Sequence, residues 1–302
     1  MTTTFKPMLA VDFHERLLRF PYYASPKVDG IRAVVIDGEA RTRSMKRIPN
    51  FHVRTFFEKN ANLLANLDGE LVVGDPAAKD VFRQTTSGIM SHGGAPAFTF
   101  YVFDVADPTG KRLFNERLAE LADREESWPK GLVMTLPQVG VEDMKELRKV
   151  EDVLVDKGYE GVMLRNPISR YKQGRATLDE NSLLKVKRFK DAEAIVIGVE
   201  EQMHNTNPAM RNELGRTKRS SARSGLVGKG TLGALVVEGT HGQPFAGVQF
   251  SIGTGMDDAS RAAMWKHREG LVGLRLRYKF LDVGTKSAPR HPVFIGWRPE
   301  GA

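Results

Sequence analysis

The feature that most constrains the fold is a change of character near residue 190. Beyond it the apolar residues fall in short runs, at 194–199, 234–237, 248–252, 274–280 and 293–297, separated by polar or glycine-containing stretches. Runs of that length suit strands and are too short for helices. One helical pattern, 257–267, interrupts them. Five strands and one helix predict a small β-barrel of the OB type. Before the change, strands and helices alternate. The 302 residues therefore divide into an α+β domain at 1–190 and a barrel domain at 191–302.

Within the first domain, residues 5–20 read as a short lead-in helix or turn carrying Phe5, Leu9, Phe13, Leu17 and Leu18. The stretch KVDGIR at 27–32 lies between apolar segments at 21–24 and 33–36, so it reads as the turn between two strands, with Gly30 supplying a positive φ. A helix is expected to follow Pro49 and run to Leu64, with Phe56, Phe57, Leu63 and Leu64 on its apolar face. Asp68-Gly69-Glu70 reads as a turn feeding the strand Leu71-Val72-Val73. The alternating, aromatic FTFYVFDV at 98–105 is a strand that puts Tyr101 and Phe103 on one face. Helical spacing recurs at 111–126 and 141–157, where Gly158 is a natural stop. Strands are expected again at 160–165 and 183–187, the second presenting Lys185 and Lys187 on one face, with a basic loop at 171–175 between them.

Composition removes several classes of chemistry. With no cysteine, disulfides, thiolate metal sites and cysteine nucleophiles are excluded. No apolar run approaches the length of a membrane span, and the first residues lack an apolar signal core, so a cytoplasmic protein with no membrane partner is expected. The net charge of +8 favours a polyanion. Within the barrel domain a polar insertion at 203–230 carries Arg211, Arg216, Lys218, Arg219, Arg223 and Lys229 against the single acid Glu213. Such a segment is either a solvated flexible loop or one that orders on a phosphate backbone.

By itself Lys27 is either an exposed hairpin lysine or a nucleophile activated by neighbouring cations. Several further motifs follow in fixed order: TRSMK at 42–46, DGE at 68–70, FYVFD at 100–104, EGVMLR at 160–165 and LLKVK at 183–187. The set resembles the covalent nucleotidyltransferases, specifically the ATP-dependent DNA ligases, and most of all the compact two-domain ligases of bacteriophages. LDGELV, RYKQG and the terminal RHPVFIGWR add to the likeness, which spans nearly the whole chain outside 203–230.

The resemblance implies an adenylation domain of ATP-grasp-like antiparallel sheets with helices, followed by the OB barrel. It implies nick sealing in duplex DNA by a monomer, during replication, repair or recombination in a phage or bacterial cell. Lys27 would attack the α-phosphate of ATP and carry AMP, with Arg32, Arg43, Lys185 and Lys187 as the surrounding cations. Glu70 matches a ribose contact and Glu160 a residue near the catalytic metal, expected to be Mg²⁺. Phe103 matches the aromatic that stacks on adenine, with Tyr101 as the fallback. Phe82 is either a wedge against the DNA minor groove or a core residue, Lys46 lies with the DNA contacts, and Arg117 is structural. Ser25 stands where many ligases carry an acid or glutamine, which leaves the reading of adenine open. Arg298 matches the arginine of a pyrophosphate-orienting motif whose lysine is replaced by Gly301, with Arg290 able to compensate. The barrel is expected to pivot near Lys190-Asp191. Other members of the superfamily, an RNA ligase or a capping guanylyltransferase, share the KxDG lysine, and a non-catalytic OB-type binder is the remaining alternative.

Overall fold

The structure is a computed structural model that describes residues 5–187, 189–211, 217–281 and 287–298; of residues 211, 217 and 218 the backbone alone is described. Arg216 and Gly301 lie outside the described residues. The chain divides into two units, Met1–Lys187 and Arg188–Ala302.

The first unit runs β1 (Met8–Leu9), β2 (Val11–Asp12), β3 (Tyr22–Pro26), β4 (Ile31–Ile36), β5 (Glu39–Thr42), α1 (Phe51–Lys59), β6 (Leu67–Val73), α2 (Val81–Ile89), β7 (Phe98–Val105), α3 (Phe114–Glu125), β8 (Val133–Thr135), β9 (Val139–Val141), α4 (Met144–Asp156), β10 (Gly161–Arg165), β11 (Gly174–Arg175) and β12 (Leu183–Lys187). Two five-stranded sheets carry it, ordered β2-β12-β10-β3-β9 and β5-β4-β6-β7-β8. Each has its own core. Val53, Phe57, Leu71, Phe100 and Leu121 pack on the second sheet, and Tyr22, Leu147, Leu164 and Leu184 on the first. The helices form where apolar residues recur at helical spacing and a side chain caps the start: Asn50 accepts from the Val53 amide before α1, and Asp143 from the Glu146 amide before α4. Gly158 ends α4 at φ +102°, as a C-terminal glycine should.

Several expectations are corrected. Residues 8–12 form strands rather than a lead-in helix, because β1 pairs with β11 and β2 with β12. This pairing also makes strand residues of Gly174 and Arg175, at the end of the expected basic loop. Helix α1 stops at Lys59, so Leu63 and Leu64 reach the core from the turns beyond it. Asp68-Gly69-Glu70 is the interior of β6 rather than a turn, with a bulge opposite β7 between Asp68 and Gly69. The polar stretch 81–89 is helix α2, burying Val81, Thr85 and Ile89 on one face.

The most consequential correction concerns 27–30. Strands β3 and β4 belong to different sheets, so KVDGIR is a crossover between sheets and not a hairpin turn. Gly30 has no positive φ to supply; a Cβ there would collide with the Leu71 carbonyl oxygen and lie 2.9 Å from Glu70 Cγ. Glycine is needed because the crossover runs hard against β6.

The second unit contains β13 (Phe189–Asn205), β14 (Ala209–Arg211), β15 (Thr217–Arg219), β16 (Leu226–Gly239), β17 (Gln249–Ile252), α5 (Asp258–Lys266), β18 (Arg275–Leu281) and β19 (Arg290–Trp297). Its sheet is ordered β17-β16-β13-β18-β19, and the Phe294 amide donates to Thr254 O at 2.9 Å, drawing the two edges together as in a partly open OB barrel. Ala194, Val196, Leu235, Ile252, Tyr278 and Phe280 fill the interior. Lys190 and Asp191 are strand residues paired with Phe280 and Lys279, so a pivot at those two positions would break the β13–β18 ladder. The described part of 203–230 is mostly strand rather than loop. Strands β13 and β16 continue as a hairpin to the pair Asn205–Leu226, and β14 and β15 form a second antiparallel pair beyond it.

Candidate nucleotide site

Three neighbouring strands bring Lys27, Glu160 and Lys187 to one place. The Lys27 amide donates to Gly161 O at 2.9 Å, just past the last β3–β10 pair, and Gly161 pairs with Lys187 across β10–β12. Gly161 takes φ +154°, and a Cβ there would collide with the Val186 carbonyl, so the strands approach closely enough to converge their side chains. Both oxygens of the buried Glu160 carboxylate are engaged, one by Lys27 Nζ and the other by Lys187 Nζ. Burial alone would raise the Glu160 pKa; the two ammonium groups outweigh it and hold the carboxyl at about 2. Burial lowers the Lys187 pKa against the pull of Glu160. Lys185, two residues earlier on the same face, reaches Asp12 Oδ1 at 3.2 Å.

From the other sheet come Arg32 and Glu70, a cross-strand pair on β4 and β6. Arg32 is clamped by Asp68, Nε to Oδ1 at 2.5 Å and Nη2 to Oδ2 at 2.6 Å. Tyr171 donates its hydroxyl to the same carboxylate at 2.7 Å and accepts from the Met8 amide at 3.2 Å. Glu70 accepts no hydrogen bond among the described residues. Burial pushes its carboxyl up to about 7 against the attraction of Arg32 and Lys27. Behind this layer Asp104 is wholly buried and held by Arg117 (Nε to Oδ1, 2.7 Å) and Arg165 (Nη1 to Oδ2, 2.6 Å). Arg117 is structural, as expected from its place early in α3.

An apolar cluster adjoins these charges. Phe103 packs with Val28, Val72, Val81 and Leu136, and Tyr101, Tyr159 and Ala78 border them half-buried. Phe103 is 8% exposed, and the Arg32 guanidinium lies 4.5 Å from its ring centroid. Val28 follows the nucleophile candidate directly, so the chain couples the cluster to Lys27.

The remaining candidates make other contacts or none among the described residues. Arg43 and Lys46 are exposed on the turn after β5 and make no ion pair among the described residues. Phe82 is 46% exposed on α2, which rules out the core alternative. In the second unit Arg298 pairs with Glu193 at 3.2 Å, Arg219 donates to the Asn207 carbonyl, and Arg223 is exposed. The described residues contain no cluster of three or more metal-ligating side chains. No described helix is long and apolar enough to cross a membrane.

Asp68, Asp104, Arg165 and Tyr171 stood inside or beside the motifs without a role. Period-two alternation places Asp68 on the face of Glu70, a usable signal; the pairing of Asp104 with residues 13 and 61 positions away left none.

Comparison with known proteins covers both units. Residues 7–187 match the ATP dependent DNA ligase domain, and 227–298 match the DNA ligase OB-like domain. A DNA ligase of Haemophilus influenzae is 25% identical over 91% of this chain and 85% of its own length. One from Natronomonas pharaonis is 30% identical over 58% of this chain, which spans only 33% of that relative. The solved Chlorella virus DNA ligase-adenylate is 29% identical, with a TM-score of 0.55 over 97% of this chain and 99% of that one.

Proposed function

The chain belongs to the ATP-dependent DNA ligase family, and from that premise we propose that Lys27 is its AMP carrier and a nick in duplex DNA its substrate. The observation that carries this reading is the convergence of Lys27, Glu160 and Lys187 at three adjacent strand ends.

In the first step Lys27 gives up its ammonium proton to water, and the freed Nζ lone pair attacks the α-phosphorus of ATP. An N–P bond forms, the α–β P–O bond breaks and pyrophosphate leaves. The ion pair with Glu160 positions the amine before it reacts. Lys185, Lys187 and Arg32 supply positive charge that offsets the growing negative charge on the phosphoryl oxygens. Phe103, with Tyr101 as its half-buried neighbour, is assigned the adenine stack from its place in FYVFD, which requires the Arg32 guanidinium, now 4.5 Å from its ring centroid, to give way, and Glu70 is assigned the ribose. In the second step a 5′-phosphate oxygen at the nick takes the AMP and Lys27 leaves as the free amine. In the third the 3′-hydroxyl attacks that 5′-phosphate, closing the strand and releasing AMP.

A magnesium ion fits the donor set. Glu70 has oxygens that no hydrogen bond engages, while those of Glu160 are shared with lysines, and Mg²⁺ is commonly held by one or two carboxylates together with substrate phosphates. When bound, the ion would neutralise charge on the polyphosphate.

Lys46 on the β5 turn, Phe82 on α2 and the cations of the β13–β16 hairpin are assigned to DNA, while Arg43 on the same turn remains a cation for the nucleotide. The support for the DNA contacts is exposure without ion pairing at Lys46 and Arg223, and for Phe82 an exposed aromatic able to insert at a groove. Arg298 would orient pyrophosphate once released from Glu193.

Incubation with α-labelled ATP and Mg²⁺, followed by a nicked duplex, tests the reading directly. The wild-type chain is expected to take the label and then seal the nick, and Lys27→Ala to do neither. Labelled Lys27→Ala at the wild-type level would overturn it. Labelling by GTP in preference to ATP would point to a guanylyltransferase instead.

A further inference from the structure

The segment 136–138 makes a second passage between the two sheets, from β8 in one to β9 in the other. It begins with Leu136, which packs with Phe103 and Val28, and ends with Gln138. Val139 pairs with Ala24, so Gln138 comes alongside Ser25, two residues before Lys27. Its amide nitrogen donates to the Phe103 carbonyl at 3.4 Å. Its amide oxygen is buried and has no hydrogen-bond partner. A buried, unpaired carbonyl oxygen costs stability unless something fills its acceptor position. Through its amide nitrogen the side chain is held to the backbone of Phe103, the proposed base-stacking residue.

We propose that Gln138 is the residue that reads the base, its amide oxygen accepting a hydrogen bond from the exocyclic amine of adenine. The nitrogen, tied to the Phe103 carbonyl, leaves the oxygen as the free acceptor of the amide, to be taken up by the base when it enters. A 6-oxopurine would set its own carbonyl oxygen against that acceptor, and the site would reject it. The same amide face that pairs with adenine elsewhere in recognition is used here on a nucleotide substrate. A site with a buried polar group left unpaired by the wrong substrate discriminates more strongly than an apolar pocket. The inference rests on the base lying against Phe103.

The test compares self-adenylation by ATP and by inosine triphosphate, which carries an oxygen in place of the amine. Gln138→Ala is expected to lower the ATP-to-inosine-triphosphate ratio of kcat/KM about tenfold, the loss of one neutral hydrogen bond, mostly through KM for ATP. The urea midpoint of Gln138→Ala, expected close to that of wild type, guards against a misfolded variant. Phe103→Ala is expected to weaken both nucleotides alike. An unchanged ratio in a folded Gln138→Ala would overturn the proposal while leaving the ligase reading intact. Failure of the wild-type chain to label with either nucleotide would instead overturn the site itself, and Gln138 with it.

Discussion

Positive charge is handled in opposite ways in the two units. In the first, the cations around the site are matched to carboxylates: Lys27 and Lys187 to Glu160, Arg32 to Asp68, Arg117 and Arg165 to Asp104. In the hairpin of the second, Arg219 has a backbone carbonyl and Arg223 stands in solvent. Buried charges cannot be left alone, since desolvation costs more than a single attraction returns, so each must be paired and thereby fixed in place. Solvated charges stay free to follow a phosphate backbone whose position varies. A nucleotide to be attacked at one phosphorus needs the first arrangement, and a duplex gripped along its backbone is served by the second.

The contrast breaks most visibly at Asp104. Asp104→Asn leaves two buried guanidinium groups around a neutral amide, and a loss of about 3–5 kcal/mol is expected in urea unfolding of the first unit. If the pairs are merely incidental, the loss will fall below about 1 kcal/mol.

A smaller effect separates the two carboxylates of the site by pH. Glu160 is held at about 2 in the fold, so its contribution is present above the ordinary carboxylate range and lost as pH falls towards 2. Glu70 is raised to about 7, so the fold favours its protonated form, and stability attributable to it declines as pH rises from about 4.5 to 7. The decline is at most about 3 kcal/mol. Glu70→Gln is expected to flatten the difference in urea midpoint between pH 4.5 and 7 relative to wild type, and Glu160→Gln to reduce the acid sensitivity below 4, part of which remains with Asp107. Parallel pH profiles in Glu70→Gln and wild type would show the carboxylate to be solvated.

The smallest effects belong to the hairpin. Arg219→Ala and Arg223→Ala are each expected to reduce the slope of log K against log salt for nicked duplex by about 1, with no change in stability. Replacing 207–224 by a short turn, which keeps the Asn205–Leu226 pair, should remove the whole hairpin contribution. An unchanged salt slope would place the duplex elsewhere.

Legibility followed the range of the interactions. FTFYVFDV became β7, and α3 and α4 appeared where the apolar spacing put them, because periodicity is written in neighbouring residues. Helix α2 was hidden by its polar face, and β1 and β2 are too short to show any period. The long hairpin reads as a loop because, among the described residues, its strands bury almost nothing beyond Met203. At the site, the residue types and their order were readable, while Gln138 was not, since nothing in its neighbours announces a buried unpaired oxygen.

By itself the sequence determined the division near residue 190, the α+β and barrel character of the two parts, and the family to which the chain belongs. These depend on local pattern and on the order of short motifs. Only the tertiary structure decided that KVDGIR crosses between sheets, that Gly30 is there to clear β6, and that one carboxylate, Glu160, holds both Lys27 and Lys187. Turn chemistry is local and says how the chain bends. Which sheet a strand joins, and which charges then share a burial site, depends on partners more than a hundred residues away.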